Sequence, residues 1–344
     1  MSKGGAAVSD VLLTVNDLKT YFYTASGVSK AVDGVSFRIS RGEIMGIVGE
    51  SGSGKSVTSS SIIRLLPAGT GKIVSGSIVF DGTDVLKLGK KELLTFRGRD
   101  VSMIFQNPMT SLSPVFKVGH QMVEMICTHQ KVSRQEAWRM GEEALKKVGI
   151  PDARRRMDSY PYELSGGMCQ RVIIAMSICS NPKMIIADEP TTALDVTVQA
   201  QVLELLKEMR DKNGTAVLLI THNLGVVWQM CDSVMVMYAG KTVEYTTCGE
   251  LYHKPLHPYT WGLLDSMPKL GSDSGEELSA IPGTPPDLRL TGTSCNFSNR
   301  CPYAVDLCKS SVPELKELEP GHFVACHRQC ETGGLVRGGG KVNE

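Results

Sequence analysis

The sequence predicts an α/β fold: a parallel sheet core joined to an antiparallel β subdomain, an α-helical subdomain and a small Cys-rich C-terminal extension. Three observations lead there. From Val11 to about Tyr245, short β-branched runs alternate with longer helical patterns, which builds parallel sheets with helices on their faces. A Gly-rich segment ending in Gly54-Lys55-Ser56 lies between one such run and one such helix. Five of the ten cysteines are crowded into Cys295–Cys330.

In chain order, Val11–Tyr23 and Val35–Ile39 alternate apolar and polar residues around a turn at Ser26-Gly27, so they read as antiparallel strands. Buried strands are expected at Ile44–Val48, Val101–Phe105, Met184–Ala187, Ala216–Ile220 and Ser233–Met237. Helices are expected at Lys55–Leu66, Val118–Cys127, Arg134–Val148, Gly166–Cys179, Val196–Lys212 and Leu224–Met230. Lys269–Ala280 is rich in Gly, Ser and acid and reads as a linker. The Pro-rich Ile281–Leu288 follows, then the late cysteines, then a Gly-rich tail. These shifts divide the chain into residues 11–250, with a helical part over about 107–165, an extension over 251–330, and a disordered tail over 331–344.

Composition narrows the function. Lys and Arg total 37 against 36 Asp and Glu across 344 residues, so no net field draws the chain to nucleic acid or acidic lipid. Met1–Asp10 lacks an apolar signal core, and no apolar run approaches the roughly 18 residues that span a bilayer. Any membrane role therefore needs a partner, and the thiols read as reduced or metal-bound rather than as a disulfide framework.

Gly49-Glu50-Ser51-Gly52-Ser53-Gly54-Lys55-Ser56 fits G-x-x-x-x-G-K-[ST] in the strand-to-helix context that motif demands, with Val57 next in the helix. Its glycines let consecutive N–H groups face phosphate oxygens; Lys55 suits the β- and γ-phosphates and the Ser56 hydroxyl suits Mg²⁺. Met184–Ala187 then delivers Asp188 and Glu189 to the carboxyl edge of a sheet. Asp188 suits Mg²⁺ through water and Glu189 suits polarising an attacking water; an acidic N-cap is the plainer alternative. Leu164-Ser165-Gly166-Gly167-Met168 places Ser165 as N-cap of a helix with an open first turn.

Together with Ala193-Leu194-Asp195 and with Thr221-His222 after the Ala216–Ile220 strand, these motifs resemble, in order and spacing, the nucleotide-binding subunit of ABC transporters. The resemblance covers about Val11 to Tyr245. It implies two cassettes facing head to tail, each ATP held between the phosphate loop of one and the signature helix of the other. Ser165 and Gly167 would then bind the partner's γ-phosphate, Asp195 would lie at the dimer seam, and His222 would contact the γ-phosphate and hold the water in line. Gln106 matches the loop glutamine that touches Mg²⁺ and water. Phe22 falls where an aromatic stacks on adenine, with Tyr21 and Tyr23 as one-register alternatives.

Phe105–Leu112, Met168 and His257-Pro258-Tyr259-Thr260 look like the dipeptide and oligopeptide permease branch of that family, some relatives of which move nickel complexes or oligosaccharides. Ser113 and Cys169 depart from it, standing where Asn and Arg are expected. The resemblance implies an ATPase on the cytoplasmic face of the membrane. Its partners would be two transmembrane permease subunits, a second similar ATPase or its own copy, and, indirectly, an extracytoplasmic binding protein. A soluble ABC ATPase acting on nucleic acid is the rival from another class.

Cys295, Cys301, Cys308 and Cys326 are separated by 5, 6 and 17 residues, with Cys330 just beyond. Four thiolates in a loop-rich segment suit an iron–sulfur cluster or zinc, with His322 or His327 able to replace a thiolate; reduced unpaired thiols are the plainer reading. The absence of C-x₂-C knuckles leans toward iron, and the branch resemblance implies a [4Fe-4S] cluster.

Overall fold

The computed structural model describes residues 10–107, 111–192, 194–267, 281–330 and 334–337. The expected linker, most of the tail, Pro108–Thr110 and Ala193 lie outside the described residues. The strands run, in chain order, β1 (Val11–Thr24), β2 (Gly27–Ser40), β3 (Ile44–Val48), β4 (Gly71–Phe80), β5 (Thr83–Asp84), β6 (Val101–Ile104), β7 (Met184–Asp188), β8 (Ala216–Ile220), β9 (Ser233–Tyr238), β10 (Lys241–Thr247), β11 (Lys316–Glu319) and β12 (His322–Val324). Two compact units divide the chain. One takes Ile39–Ile44 and Lys87–Ile220; the other takes Leu13–Arg38, Met45–Leu86 and Thr221 onward.

In the first unit β6, β7 and β8 are parallel, with Val101 beside Met184 and Met184 beside Ala216. All five residues of β7 and of β8 are buried, as strands covered on both faces require, which is why they read as unbroken apolar runs. The Gly166–Cys179 helix buries Val172, Ile173, Ile174 and Ala175. Val118–His129 and Arg134–Lys147 pack through Val123, Ile126 and Ala137, with Trp138 against them.

In the second unit β1 pairs antiparallel with β4, and the small sheet runs β2-β1-β4-β5. Its other sheet is mixed: β3 pairs parallel with β9, then β9, β10, β12 and β11 follow antiparallel. The extended segments at β4 and β10 to β12 carry little alternation, and the sequence reading passed over them. The Lys55–Ile62 helix stops short of the expected Leu66, because Arg64 turns to φ 53° and closes it.

Candidate functional site

The phosphate loop leaves β3 at Gly49, whose φ is 151°. A Cβ there would sit 2.2 Å from the Met237 carbonyl oxygen, and one on Gly54 (φ 104°) would sit 2.3 Å from that of Ala31, so only glycine fits either position. Gly52, also at positive φ, faces open space. Lys55 is buried at the start of its helix, and its Nζ donates to the carbonyls of Gly49 at 2.7 Å and Glu50 at 2.8 Å. The ammonium is thus held over the loop. Ser51 and Ser56 are exposed, Ser53 is buried and Val57 half-buried.

A clamp that the motif does not contain holds the loop from outside. Arg300, buried, donates from Nη1 to Glu50 Oε2 at 2.6 Å and from Nη2 to Glu50 Oε1 at 3.0 Å. The same guanidinium donates to the carbonyls of Pro282 and Ile281, and the Glu50 N–H donates to the Tyr259 hydroxyl at 2.8 Å. On β1, Tyr21 is committed to Asp33 Oδ1 by a 2.8 Å hydrogen bond and Tyr23 lies under the Lys72 ammonium. Phe22, between them, is half-buried opposite Gly71, where a Cβ would lie 3.0 Å from its ring.

In the first unit β7 ends in buried Asp188, and the next residue, Glu189, adopts φ 48°, strained for a side chain with a Cβ. The Glu189 N–H donates to the Ile220 carbonyl, which pins the bend, and its Oε2 accepts from Gln106 Nε2 at 2.9 Å and Thr192 Oγ1 at 3.1 Å. Gln106 and Glu189, 83 residues apart, are thereby brought together. Ser165 caps the Gly166–Cys179 helix by accepting from the Met168 N–H, as the sequence predicts. Ser165 and Gly166 are exposed, Gly167 is half-buried, and a Cβ on Gly166 would meet nothing within 4 Å. Asp195 caps the Val196–Asn213 helix through the Val198 N–H. In the second unit His222 is exposed just past β8, and its neighbour Asn223 caps the Leu224–Met230 helix.

The four cysteines picked from the sequence converge. Burial pushes the Cys301 thiol up to about 12 and the Cys326 thiol up to about 11, and neighbouring cysteines add to both shifts: Cys326, Cys295 and Cys308 act on Cys301, and Cys295 and Cys308 on Cys326. Backbone N–H groups of Phe297 and Ser298 point at the Cys295 sulfur, that of Tyr303 at Cys301, and those of Gln329 and Arg328 at Cys326. Cys330 instead donates to the Val324 carbonyl. The histidines considered as replacement ligands are engaged elsewhere: His322 Nε2 is 2.8 Å from Glu244 Oε1, and His327 Nε2 is 3.1 Å from Ser311 Oγ.

Sequence reasoning gave no role to Arg300 or Glu244, and named Tyr259 only within the His257-Pro258-Tyr259-Thr260 resemblance. No motif pairs them with their partners.

Comparison with known proteins agrees with this geometry. The ABC transporter family matches residues 32–192, and the oligopeptide/dipeptide transporter C-terminal region matches residues 243–308. The oligopeptide transport ATP-binding protein OppD of Salmonella typhimurium is 48% identical over 323 residues, covering 94% of this chain and 95% of that protein. OppD of Bacillus subtilis is 49% identical, covering 91% of this chain and 87% of its own length. The dipeptide transport ATP-binding protein DppD of the same organism is 48% identical, covering 92% and 95%. Among solved structures, a dimeric ATP-binding cassette in a post-hydrolysis state with ADP and phosphate superposes with a TM-score of 0.63 at 26% identity, covering 69% of this chain and 99% of that one.

Proposed function

The chain belongs to the ATP-binding subunits of ABC transporters for oligopeptides and dipeptides, and from that premise we propose how its residues divide the work. It is an ABC ATPase. ATP hydrolysis drives import of di- or oligopeptides through two permease subunits, with the chain on the cytoplasmic face of the inner membrane. No helix among the described residues is long and apolar enough to cross a membrane, so the path for peptide belongs to those partners. A second ATPase of the same kind completes the dimer, and an extracytoplasmic binding protein delivers the peptide.

The phosphate loop binds the triphosphate through its N–H groups and Lys55, with adenine on Phe22. Ser56, Asp188 and Gln106 offer only hard oxygen ligands, Gln106 keeping its Oε1 because Nε2 serves Glu189; that donor set fits Mg²⁺. When bound, Mg²⁺ neutralises charge gathering on the phosphoryl oxygens. Glu189 polarises the attacking water, Gln106 and Thr192 fix its carboxylate, and His222 holds that water in line. Ser165, exposed, and Gly167, half-buried, at an open helix end serve the partner's nucleotide, and Asp195 lies at the dimer seam.

Cys295, Cys301, Cys308 and Cys326 hold a [4Fe-4S] cluster in this reading. Support comes from their convergence and from the N–H groups aimed at three of the sulfurs. The cluster would staple a segment short of apolar core, and iron and sulfide analysis of anaerobically purified protein tests it.

The observation that carries the catalytic reading is the Gln106–Glu189 contact at a strained strand end. Glu189→Gln is expected to retain ATP affinity and accumulate an ATP-bound dimer without turnover; ordinary hydrolysis in that variant removes Glu189 as base. Peptide-stimulated ATPase activity of the chain reconstituted with its permease in proteoliposomes tests the substrate class.

A further inference from the structure

Away from the phosphate loop and the cysteines, Glu244 lies on β10 with no exposed surface. It accepts four hydrogen bonds: from the N–H groups of Leu256 at 2.7 Å and His257 at 3.0 Å, from Thr260 Oγ1 at 2.5 Å, and from His322 Nε2 at 2.8 Å. A carboxylate oxygen facing Nε2 dictates the tautomer of this histidine: Nε2 donates the proton and Nδ1 is left with a lone pair. That Nδ1 is buried and has no hydrogen-bond partner. His322 itself is 1% exposed, so an unpaired nitrogen there is destabilising unless something binds it.

Two carboxylates stand beside this ring. Glu250, in the Cys248–His253 helix, and Glu319, at the end of β11, each place an oxygen within 4.8 Å of a His322 ring nitrogen and of each other. Glu319 also pairs with the Lys254 ammonium. The turn between β11 and β12 is formed by Pro320 and Gly321, the latter at φ 76°, and it sets Glu319 opposite His322 in the hairpin register.

We propose that Glu250, Glu319 and His322 form a binding site for a divalent transition-metal ion of the Zn²⁺ class, which pins the β11–β12 hairpin to the Cys248–His253 helix. One imidazole nitrogen and two carboxylates are a borderline ligand set of the kind zinc accepts, with water completing four-coordination. Glu244 supplies the outer carboxylate that orients a metal-bound histidine and raises its basicity. The ion takes the vacant Nδ1 lone pair and competes with Lys254 for Glu319. This site shares no ligand with the four cysteines.

The test uses the full chain stripped of metal by chelation and titrated with Co²⁺ as a spectroscopic probe and with Zn²⁺ by calorimetry. Co²⁺ on imidazole and carboxylate gives weak visible d–d bands, whereas Co²⁺ on thiolate adds intense near-ultraviolet charge transfer, so the two sites are read separately. Wild type is expected to bind one equivalent that shows the weak d–d bands of imidazole and carboxylate ligation, separate from any thiolate band. The double variant Glu250→Gln, Glu319→Gln, both ligands at the surface, is expected to bind that equivalent at least about tenfold more weakly, with any thiolate band unchanged. Circular dichroism and thermal melting check that the variant is folded, and single Glu250→Gln gives the same reading if the double variant is not. Equal stoichiometry and affinity in wild type and the folded variant, cobalt seen only on thiolate, or no ion bound by wild type each overturn the site.

Discussion

Arg300 grips Glu50 through two parallel hydrogen bonds across 250 residues of sequence. Glu50 is the second residue of the phosphate loop, and Arg300 directly precedes Cys301, so the segment holding the thiols is tied to the loop by one buried guanidinium. The fork geometry matters: only arginine offers two donors to one carboxylate while two more reach the Pro282 and Ile281 carbonyls. Arg300→Lys keeps the charge and loses the fork. It is expected to lower stability by about 2 kcal/mol in denaturant melts and to raise KM for ATP several-fold with a smaller change in kcat. An unchanged KM would show that the clamp stabilises the fold without ordering the loop.

The glycines of the loop are not equivalent. Gly49→Ala and Gly54→Ala each drive a Cβ to within 2.3 Å of a backbone oxygen, so both are expected to abolish ATP binding and to lower the melting temperature. Gly52→Ala meets nothing within 4 Å, and only its φ of 78° opposes it, a cost of about 1 kcal/mol. Nucleotide binding by fluorescence should rank Gly52→Ala far above the other two.

Gln106→Glu would replace a donor 2.9 Å from Glu189 by a second carboxylate. Like charges at that distance resist joint ionisation, so the proton leaves the pair at higher pH than it leaves Glu189 alone. The acid limb of the pH–rate profile for kcat is expected to move upward, with ATP affinity retained. A profile identical to wild type would mean that the Gln106–Glu189 contact is absent during turnover.

His257 is fully buried, and that burial lowers its pKa from 6.5 to about 4, partly offset by the nearby Glu244 charge. The unfolded chain therefore binds a proton that the folded chain refuses between those values. Stability from this group is complete above about pH 6.5 and falls progressively as pH drops toward 4, by about 3 kcal/mol in total. Denaturant melts at pH 7 and pH 5 should show about 2 kcal/mol of that loss, and His257→Gln should flatten it.

The cassette was readable because its chemistry is written in short stretches. Gly49 to Ser56 is one turn between a strand and a helix, and Ser165 is a cap whose signal lies within four residues. β7 and β8 announced themselves as unbroken apolar runs because both faces are covered. β4 and β11 escaped because they are largely exposed and set by pairing partners rather than by their own pattern, and β12 because it is only three residues long.

From sequence alone came the phosphate loop, the acidic strand end, the signature cap and four of the five late cysteines as a group, since each depends on residue type at close spacing. Tertiary structure alone decided that Arg300 belongs to Glu50 and that His322 turns to Glu244 instead of the thiols. A buried ion pair or histidine finds its partner through the packing of strands and loops far apart in the chain. Periodicity and spacing carry no record of which distant carboxylate that will be.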